Sequence, residues 1–108
     1  MTRRSFVEGE TKPVDVTLYD GEGAGRVAIN GTGLTVVLVL RDRVGALVPT
    51  AGTVDWLVAA SGSVRYNPAV TDLRTSSSPY HARFKVTDGS ADDAYYPNGE
   101  AEEWKVRP

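Results

Sequence analysis

The stretch that decides the fold is YHARFKV, residues 80–86. Every second side chain in it is apolar, and these residues are Tyr80, Ala82, Phe84 and Val86. Because successive side chains of a β-strand point to opposite faces, this pattern predicts a strand with one face in the core. The residues between them form a basic row on the other face, namely His81, Arg83 and Lys85. The stretch therefore predicts a core strand and an outward position for the single histidine of the chain.

Six further segments outward from this stretch are expected to be strands, most of them because they alternate with period 2. They are VDVTL (14–18), RVAI (26–29), LTVVLVLRDR (34–43), TVDWLV (53–58), SVRYN (63–67) and EAEEWKVR (100–107). Glycine and proline interrupt the chain so often that no helical window remains between them. Residues 36–40 are apolar throughout, so we expect that strand to be buried on both faces.

The number and spacing of these segments predict an all-β fold, an antiparallel sandwich of about seven strands. The aromatic residues in phase with the alternation are the expected large core residues, namely Trp56, Tyr66, Tyr80, Phe84 and Trp104. The segment between residues 87 and 99 is polar and is expected to be a long loop.

Length and composition predict a single domain that spans residues 1–108. Of the 108 residues 41% are hydrophobic and none is cysteine, so the fold must rest on packing and backbone hydrogen bonds. The formal net charge of −2 provides no basic footprint for a nucleic-acid backbone. The longest apolar run, residues 34–40, is far shorter than the about 20 residues that a membrane-spanning helix needs. We therefore expect neither nucleic acid nor a membrane as a partner.

The side chains that could carry catalysis lack the partners that catalysis needs. His81 shares its face with two cations and has no carboxylate close in sequence, so a general base is not indicated. The serines at residues 76–78 stand outside any nucleophile-elbow motif. A glycosidase pair among Glu100, Glu102 and Glu103 stays open, because the separation of two carboxylates is a three-dimensional quantity. We predict a protein that is not an enzyme, with no catalytic residue, no metal and no cofactor.

The acidic stretch DGSADD, residues 88–93, contains oxygen ligands of the kind that calcium prefers. Its spacing departs from that of an EF-hand, because Asp93 stands where that loop needs glycine and Gly99 where it needs glutamate. A looser calcium loop and a solvated turn both remain open for these residues. At the N-terminus, Arg3 and Arg4 are expected to form a solvated basic tail or to dock onto an acidic neighbour.

The order of these segments resembles the immunoglobulin-like N-terminal domain of phage baseplate upper proteins and related tail proteins. In the first half the matching residues are Phe6, Gly9, Glu10, Thr11, Pro13, Asp20, Gly21, Ile29, Asn30, Gly31 and the run 34–42. In the second half they are Gly62, Val64, Tyr66, Asp72, Leu73, Tyr80, Ala82, Phe84, Val86, Asp88, Gly89 and Pro97. The chain departs from the pattern at Ser78 and Pro79, where the family commonly has glycine before the tyrosine.

This resemblance implies an immunoglobulin-like sandwich that serves as a structural module of a virion. We expect a non-enzymatic component of a tailed phage, in the tail, baseplate or head, that acts through protein–protein contacts. Its expected partners are other virion proteins or further copies of itself, in a homo-oligomer or larger assembly. The expected contact residues are His81, Arg83, Lys85, Tyr95, Tyr96, Arg3 and Arg4. The alternative is a carbohydrate- or cell-surface-binding module in which Tyr95 and Tyr96 stack on sugars.

Overall fold

The computed structural model describes residues 3–21, 26–90, 92–97 and 100–108. Within these ranges it contains eleven β-strands and two short 3₁₀ turns, Ala59–Ser61 and Thr75–Ser77. The strands are β1 Arg3–Val7, β2 Val14–Thr17, β3 Tyr19–Asp20, β4 Val27–Ala28, β5 Thr35–Arg41, β6 Leu47–Val48, β7 Thr53–Val58, β8 Ser63–Asn67, β9 Tyr80–Thr87, β10 Asp93–Tyr96 and β11 Glu102–Arg107. The prediction of an all-β fold is confirmed. A helix that could span a bilayer is not found among the described residues.

The strands form two main sheets that pack as a sandwich around one core. The larger sheet has the order β1-β11-β9-β5-β6, with β10 paired to the end of β9 beyond β11. The smaller sheet has the order β2-β8-β7, and β3 and β4 form a separate two-stranded ribbon. The described pairings are antiparallel except that of β1 with β11, which is parallel.

Seven of these strands were predicted, and β1, β3, β6 and β10 were not. The expectation of a solvated tail at Arg3 and Arg4 was wrong, because β11 provides hydrogen-bonding groups along its edge and the N-terminal residues pair with it. The expectation of a continuous loop over residues 87–99 was also wrong. Asp93–Tyr96 pairs with the last residues of β9. The backbone groups of residues 93–96 therefore form hydrogen bonds with β9 and not with water.

The core lies between the two sheets and is centred on Trp104. Its indole ring lies 5.1 Å from the ring of Phe6 and 5.8 Å from that of Tyr66, centroid to centroid, and so joins the larger sheet to the smaller one. Burial of such aromatic side chains contributes about 1.5–3 kcal/mol each. Four of the five predicted large core residues are fully buried. Trp56 is only half-buried, because it lies on the edge strand β7, where it donates its indole N–H to the Leu34 carbonyl at 2.9 Å.

The alternation in β9 is confirmed, whereas the expectation for β5 is wrong. Every second residue of β9 is buried, beginning with Tyr80. In β5, Val36 and Leu40 are buried, but Val37 is 40% exposed. The larger sheet has the core on one side, so the alternate residues of β5 point outward even though they are apolar.

A candidate interaction face on the larger sheet

The side of the larger sheet that points away from the core is its outer face. On β9 it consists of His81, Arg83, Lys85 and Thr87. The β5 residues in register with these four are Arg41, Val39, Val37 and Thr35. On the other side of β9 the residues in register are Glu103 of β11 and Tyr95 and Asp93 of β10. Four strands that are distant in the sequence therefore place their side chains on one surface.

The register arranges the outer face in rows across the strands. In one row His81 lies between Glu103 and Arg41, and the row continues to Arg3 on β1 and Leu47 on β6. Side chains directly opposite each other in antiparallel strands have Cβ atoms about 4.5–5.5 Å apart. The histidine thus has a carboxylate as a cross-strand neighbour, which its sequence neighbourhood did not indicate.

A second row lies closer to the acidic turn between β9 and β10. In it Lys85 stands between Tyr95 and Val37. The ammonium group of Lys85 therefore has an aromatic side chain on one side and an aliphatic one on the other.

A shallow hollow of about 140 Å³ lies in the outer face near the first row. It is lined by Val39, Arg41, His81, Arg83 and Ala101. β10 and β11 both pair with β9, one after the other along its length. Ala101 immediately precedes β11 in the connection between them.

The outer face is rich in cations, although the net charge of the chain is −2. Its described strands carry the basic residues Arg3, Arg41, Arg83, Lys85, Lys105 and Arg107 and the acidic residues Glu103 and Asp93. The Arg3 and Glu103 side chains approach to 3.8 Å, which is a loose ion pair. Among the described residues, the strands of this face therefore carry more basic than acidic side chains.

Apolar side chains stand among these cations. Leu47 is 64% exposed, Tyr95 is 42% exposed and Val37 is 40% exposed. Tyrosine and arginine are among the residue types enriched at the energetically important positions of protein–protein interfaces.

Five of the seven contact residues expected from the sequence lie on the outer face, and two do not. Those on the face are His81, Arg83, Lys85, Tyr95 and Arg3. Tyr96 is in register with the core residue Phe84 and packs against the core. Burial and the nearby charge of Asp20 raise the pKa of its phenol. Tyr95 and Tyr96 point to opposite sides of β10, so they do not form a two-ring platform for a sugar.

Arg4 points away from the outer face and forms an ion pair with Glu102 of the same chain. Its Nε donates to Glu102 Oε1 at 2.7 Å, and the same oxygen accepts the indole N–H of Trp104 at 3.0 Å. Glu102 is 6% exposed, so this pair belongs to the edge of the core.

Sequence reasoning missed the β5 residues of the face. Once Val36 and Leu40 are assigned to the core, period 2 requires Val37, Val39 and Arg41 to point outward. The uniformly apolar run concealed this signal.

The acidic turn between β9 and β10 uses its carboxylates to close the turn. Asp88 Oδ1 accepts the backbone N–H groups of Ser90 at 2.8 Å and Asp92 at 3.1 Å. Asp93 Oδ1 accepts the Thr87 hydroxyl at 2.8 Å. Among the residues that the structure describes, which do not include Gly99, no group of three or more His, Asp or Glu side chains could hold a metal ion.

A second polar cluster, the Asp72 cluster, lies inside the sandwich. Asp72 is 3% exposed and its carboxylate accepts four hydrogen bonds. They come from the Tyr66 hydroxyl at 2.6 Å and from the backbone N–H groups of Ala51 at 2.7 Å, Gly52 at 2.9 Å and Ala69 at 3.0 Å. Position 52 requires glycine, because a Cβ there would collide with the backbone carbonyl of residue 67.

These hydrogen bonds decide the ionisation of the cluster. Burial by itself raises the pKa of Asp72, but the bonds from Tyr66 and the three backbone N–H groups outweigh burial and hold the pKa below its ordinary value. Burial and the bond to Asp72 raise the pKa of Tyr66. The negative charge of Asp72 is therefore stabilised by hydrogen bonds from its own chain.

No protein-family model matches this chain, and no curated protein matches it. The resemblance to the phage domain accordingly depends on the residues quoted above.

Proposed function

We propose that the protein is a non-enzymatic structural component of a tailed-phage particle that works through protein–protein contacts made by the outer face. The observation that carries the proposal is the composition of that face, where cations and exposed apolar side chains lie next to one another on neighbouring strands. The family resemblance supports the assignment to a phage particle. The proposed location is the virion.

The immunoglobulin-like form of the sandwich is part of the proposal. In such domains one sheet contains strands B, E and D, the other contains C, F and G, and a tyrosine near the start of F bonds to backbone a few residues upstream. The orders β2-β8-β7 and β5-β9-β11 agree with this arrangement. Tyr80, the first residue of β9, accepts the Arg74 N–H at 3.0 Å and donates to the Asp72 carbonyl at 3.3 Å. The chain departs from antibody domains in having no cysteine and in carrying its buried tryptophan on the last strand.

A protein partner fits the outer face better than a sugar does. Sugar sites commonly use aromatic rings as stacking platforms, but only Tyr95 of the two neighbouring tyrosines points outward. The remaining apolar side chains of the face are aliphatic, and its charged groups are mostly arginine and lysine. Cations around aliphatic side chains are suited to carboxylates and apolar residues of another protein.

The test is the protein content of purified particles. We expect peptides of this chain to be detected by mass spectrometry in gradient-purified particles, at a constant ratio to the major particle proteins across the gradient. An abundant host protein serves as the control, and its ratio should fall with each purification step. If the chain is lost together with the host protein, the proposed function is wrong.

A further inference from the structure

We propose that the uncovered edge of β5 pairs with the same edge of a second copy of the chain, so that the two larger sheets join into one continuous sheet. The pairing is antiparallel, spans residues 36–38 in both copies and sets Val37 of one copy opposite Val37 of the other. The inference goes beyond the proposed function, because it needs only two copies of this chain.

Most of one edge of β5 is left uncovered by the rest of the larger sheet. On one side β5 pairs with β9 along its whole length, from Thr35 to Arg41. On the other side β6 pairs only with Leu40 and Arg41. β6 ends at Val48, and the chain then crosses to β7 in the smaller sheet. Among the residues that the structure describes, no other strand pairs with β5 on that side.

The backbone groups at this uncovered edge belong to Val36 and Leu38. Successive residues of a strand in an antiparallel ladder point their N–H and C=O groups toward opposite neighbours. Asp42 donates its N–H to the carbonyl of Ala46 at 2.9 Å, across the hairpin that joins β5 to β6. Counting back in steps of two from Asp42 therefore places the N–H and C=O groups of Val36 and Leu38 on the side of β6, where the strand has no neighbour.

These groups are self-complementary about a two-fold axis through Val37. When Val36 of one copy lies opposite Leu38 of the other, each of the two residue pairs exchanges two N–H···O bonds, as hydrogen-bonded pairs of antiparallel strands do. Val37 then meets its counterpart at a non-hydrogen-bonded position, where opposite side chains approach most closely. Val37 is 40% exposed in the single chain, so the pairing removes apolar surface from water.

The three paired residues stop short of β6. Val48 lies next to Leu40. Residues two apart along a strand are separated by roughly 6.5–7 Å, so the strand of the second copy ends before it reaches Val48. At its other end β5 begins at Thr35, directly after a turn at residues 32–33. The contact is therefore short, and it lies between the β6 strands of the two copies.

The other long edge strands carry charges that oppose such pairing, whereas β5 carries none at its uncovered edge. A two-fold pairing of β7 about its middle would set Asp55 opposite Asp55, and like charges directly opposite each other are destabilising. The edge strand β2 contains Asp15, and β1 contains Arg3 and Arg4. Charged residues on edge strands are a common protection against pairing with another chain. Residues 35–39, TVVLV, contain no charged residue, proline or glycine.

The charges of the outer face do not oppose the pairing. Lys85 is in register with Val37 on β9, so each copy places one lysine a single strand away from the contact. The β9 strands of the two copies are three strand spacings apart, roughly 14 Å, which exceeds the Debye length of about 8 Å at physiological ionic strength. A second copy joined edge to edge therefore matches apolar residues without bringing the basic rows together.

A disulfide tests the register directly, because the chain contains no cysteine of its own. Under mild oxidation Val37→Cys should form a dimer at least about fivefold faster than Val44→Cys, because opposite Cβ atoms at a non-hydrogen-bonded position lie close to the separation that a disulfide needs. Val44, in the turn between β5 and β6, is 80% exposed and so reports the rate of random collision. Non-reducing gel electrophoresis measures both rates.

Sedimentation equilibrium tests the pairing of the unmodified chain. The average mass of the wild type should rise with concentration toward twice the mass of one chain and no further. Val37→Glu should weaken this association by at least about fivefold, because it sets two like charges opposite each other. Val37→Ile should retain it. Val70→Glu, which changes another exposed valine in the β8–β9 connection, is the matched control and should associate like the wild type. The fold of each variant is checked by its NMR spectrum.

The proposal is overturned if the wild type stays monomeric at every concentration, if Val37→Cys is oxidised no faster than Val44→Cys, or if Val37→Glu associates like Val70→Glu. Growth beyond a dimer overturns the closed two-fold pairing. A chain that is monomeric alone, but whose Val37→Glu variant is lost from particles, assigns the edge to a strand of another protein and overturns the choice of a second copy. A chain that dimerises through Val37 but is absent from purified particles retains this inference and loses the proposed function.

Discussion

The Asp72 cluster and the outer face both bring charged and polar side chains together, the first inside the sandwich and the second on its surface. The carboxylate of Asp72 accepts four bonds from its own chain and is almost completely buried. The arginines of the hollow lie on the opposite side of the larger sheet from the core. Asp72 is bonded and buried within the chain, whereas the outer face is a surface on which the described strands carry more basic than acidic side chains.

This difference separates the residues that stabilise the fold from those available to a partner. Removal of one member of a buried, satisfied cluster leaves the other members without partners, which is costly. Removal of an exposed cation leaves only water to take its place. We therefore expect substitutions in the first cluster to alter stability, and substitutions on the outer face to alter binding.

The largest effect is expected for Asp72→Ala. The change leaves the Tyr66 hydroxyl and three backbone N–H groups without their acceptor in a buried place, so the free energy of unfolding should fall by about 3–5 kcal/mol. Urea denaturation followed by tryptophan fluorescence measures it. If the variant loses less than about 1 kcal/mol, water replaces the carboxylate and the cluster is not a stability element.

Acid should weaken the same cluster without a substitution. The pKa of Asp72 is lowered in the folded chain, so its contribution to stability is complete above the pKa of the unfolded state and is lost as pH falls through the folded-state value. The lowered pKa values of Glu8, bonded to Thr75, and of Asp15, bonded to Arg65, act in the same direction. Asp72→Asn should show a shallower decline below about pH 4 than the wild type. Equal declines would contradict the role of this carboxylate.

A smaller effect is expected for Tyr80→Phe. The ring stays in the core, but the Asp72 carbonyl and the Arg74 N–H lose their bonds to the hydroxyl. The free energy of unfolding should fall by about 1–2 kcal/mol. The matched control is Tyr95→Phe on the exposed side of β10, which should alter stability by less than about 0.5 kcal/mol. Equal losses in the two variants would show that burial of the hydroxyl does not matter.

The smallest effect on stability is expected for the outer face. His81→Gln and Lys85→Gln each replace a side chain on the outer face, on the opposite side of the sheet from the core, so the free energy of unfolding should change by less than about 0.5 kcal/mol. Thermal denaturation measures this change. A loss as large as that of Tyr80→Phe would show that the face stabilises the fold and would remove the contrast between the two regions.

The sequence alone predicted the parts of the fold that depend on local alternation. In β9 the alternate apolar residues could only face one core, and they do. In β5 the apolar run concealed the phase, because Val37 and Val39 are as hydrophobic as the buried Val36. What places Val37 outside is the number of layers in the fold, which is a property of the whole chain.

The site was predicted less completely than the fold, for the same reason. The basic row from His81 to Lys85 follows from one strand, but Arg41, Val39 and Ala101 join it only through pairing of distant segments. Asp72 lies in a polar connection that the sequence does not distinguish from a solvated loop. Its carboxylate can be buried because the backbone N–H groups of residues 51, 52 and 69 donate hydrogen bonds to it. The alternation of apolar residues does not indicate these bonds.

If the outer face binds a partner while the core stabilises the fold, one charge-reversal variant tests both roles. The double variant Arg41→Glu/Lys85→Glu is compared with Lys12→Glu/Arg74→Glu, which carries the same change of charge on the β1–β2 and β8–β9 connections. The measured quantity is the amount of tagged chain retained on purified particles, beside the melting temperature of the free chain. We predict that both variants melt within about 3 °C of the wild type. We also predict that only the outer-face variant loses retention, by at least about tenfold. Equal retention of the two variants on the particles would contradict the account.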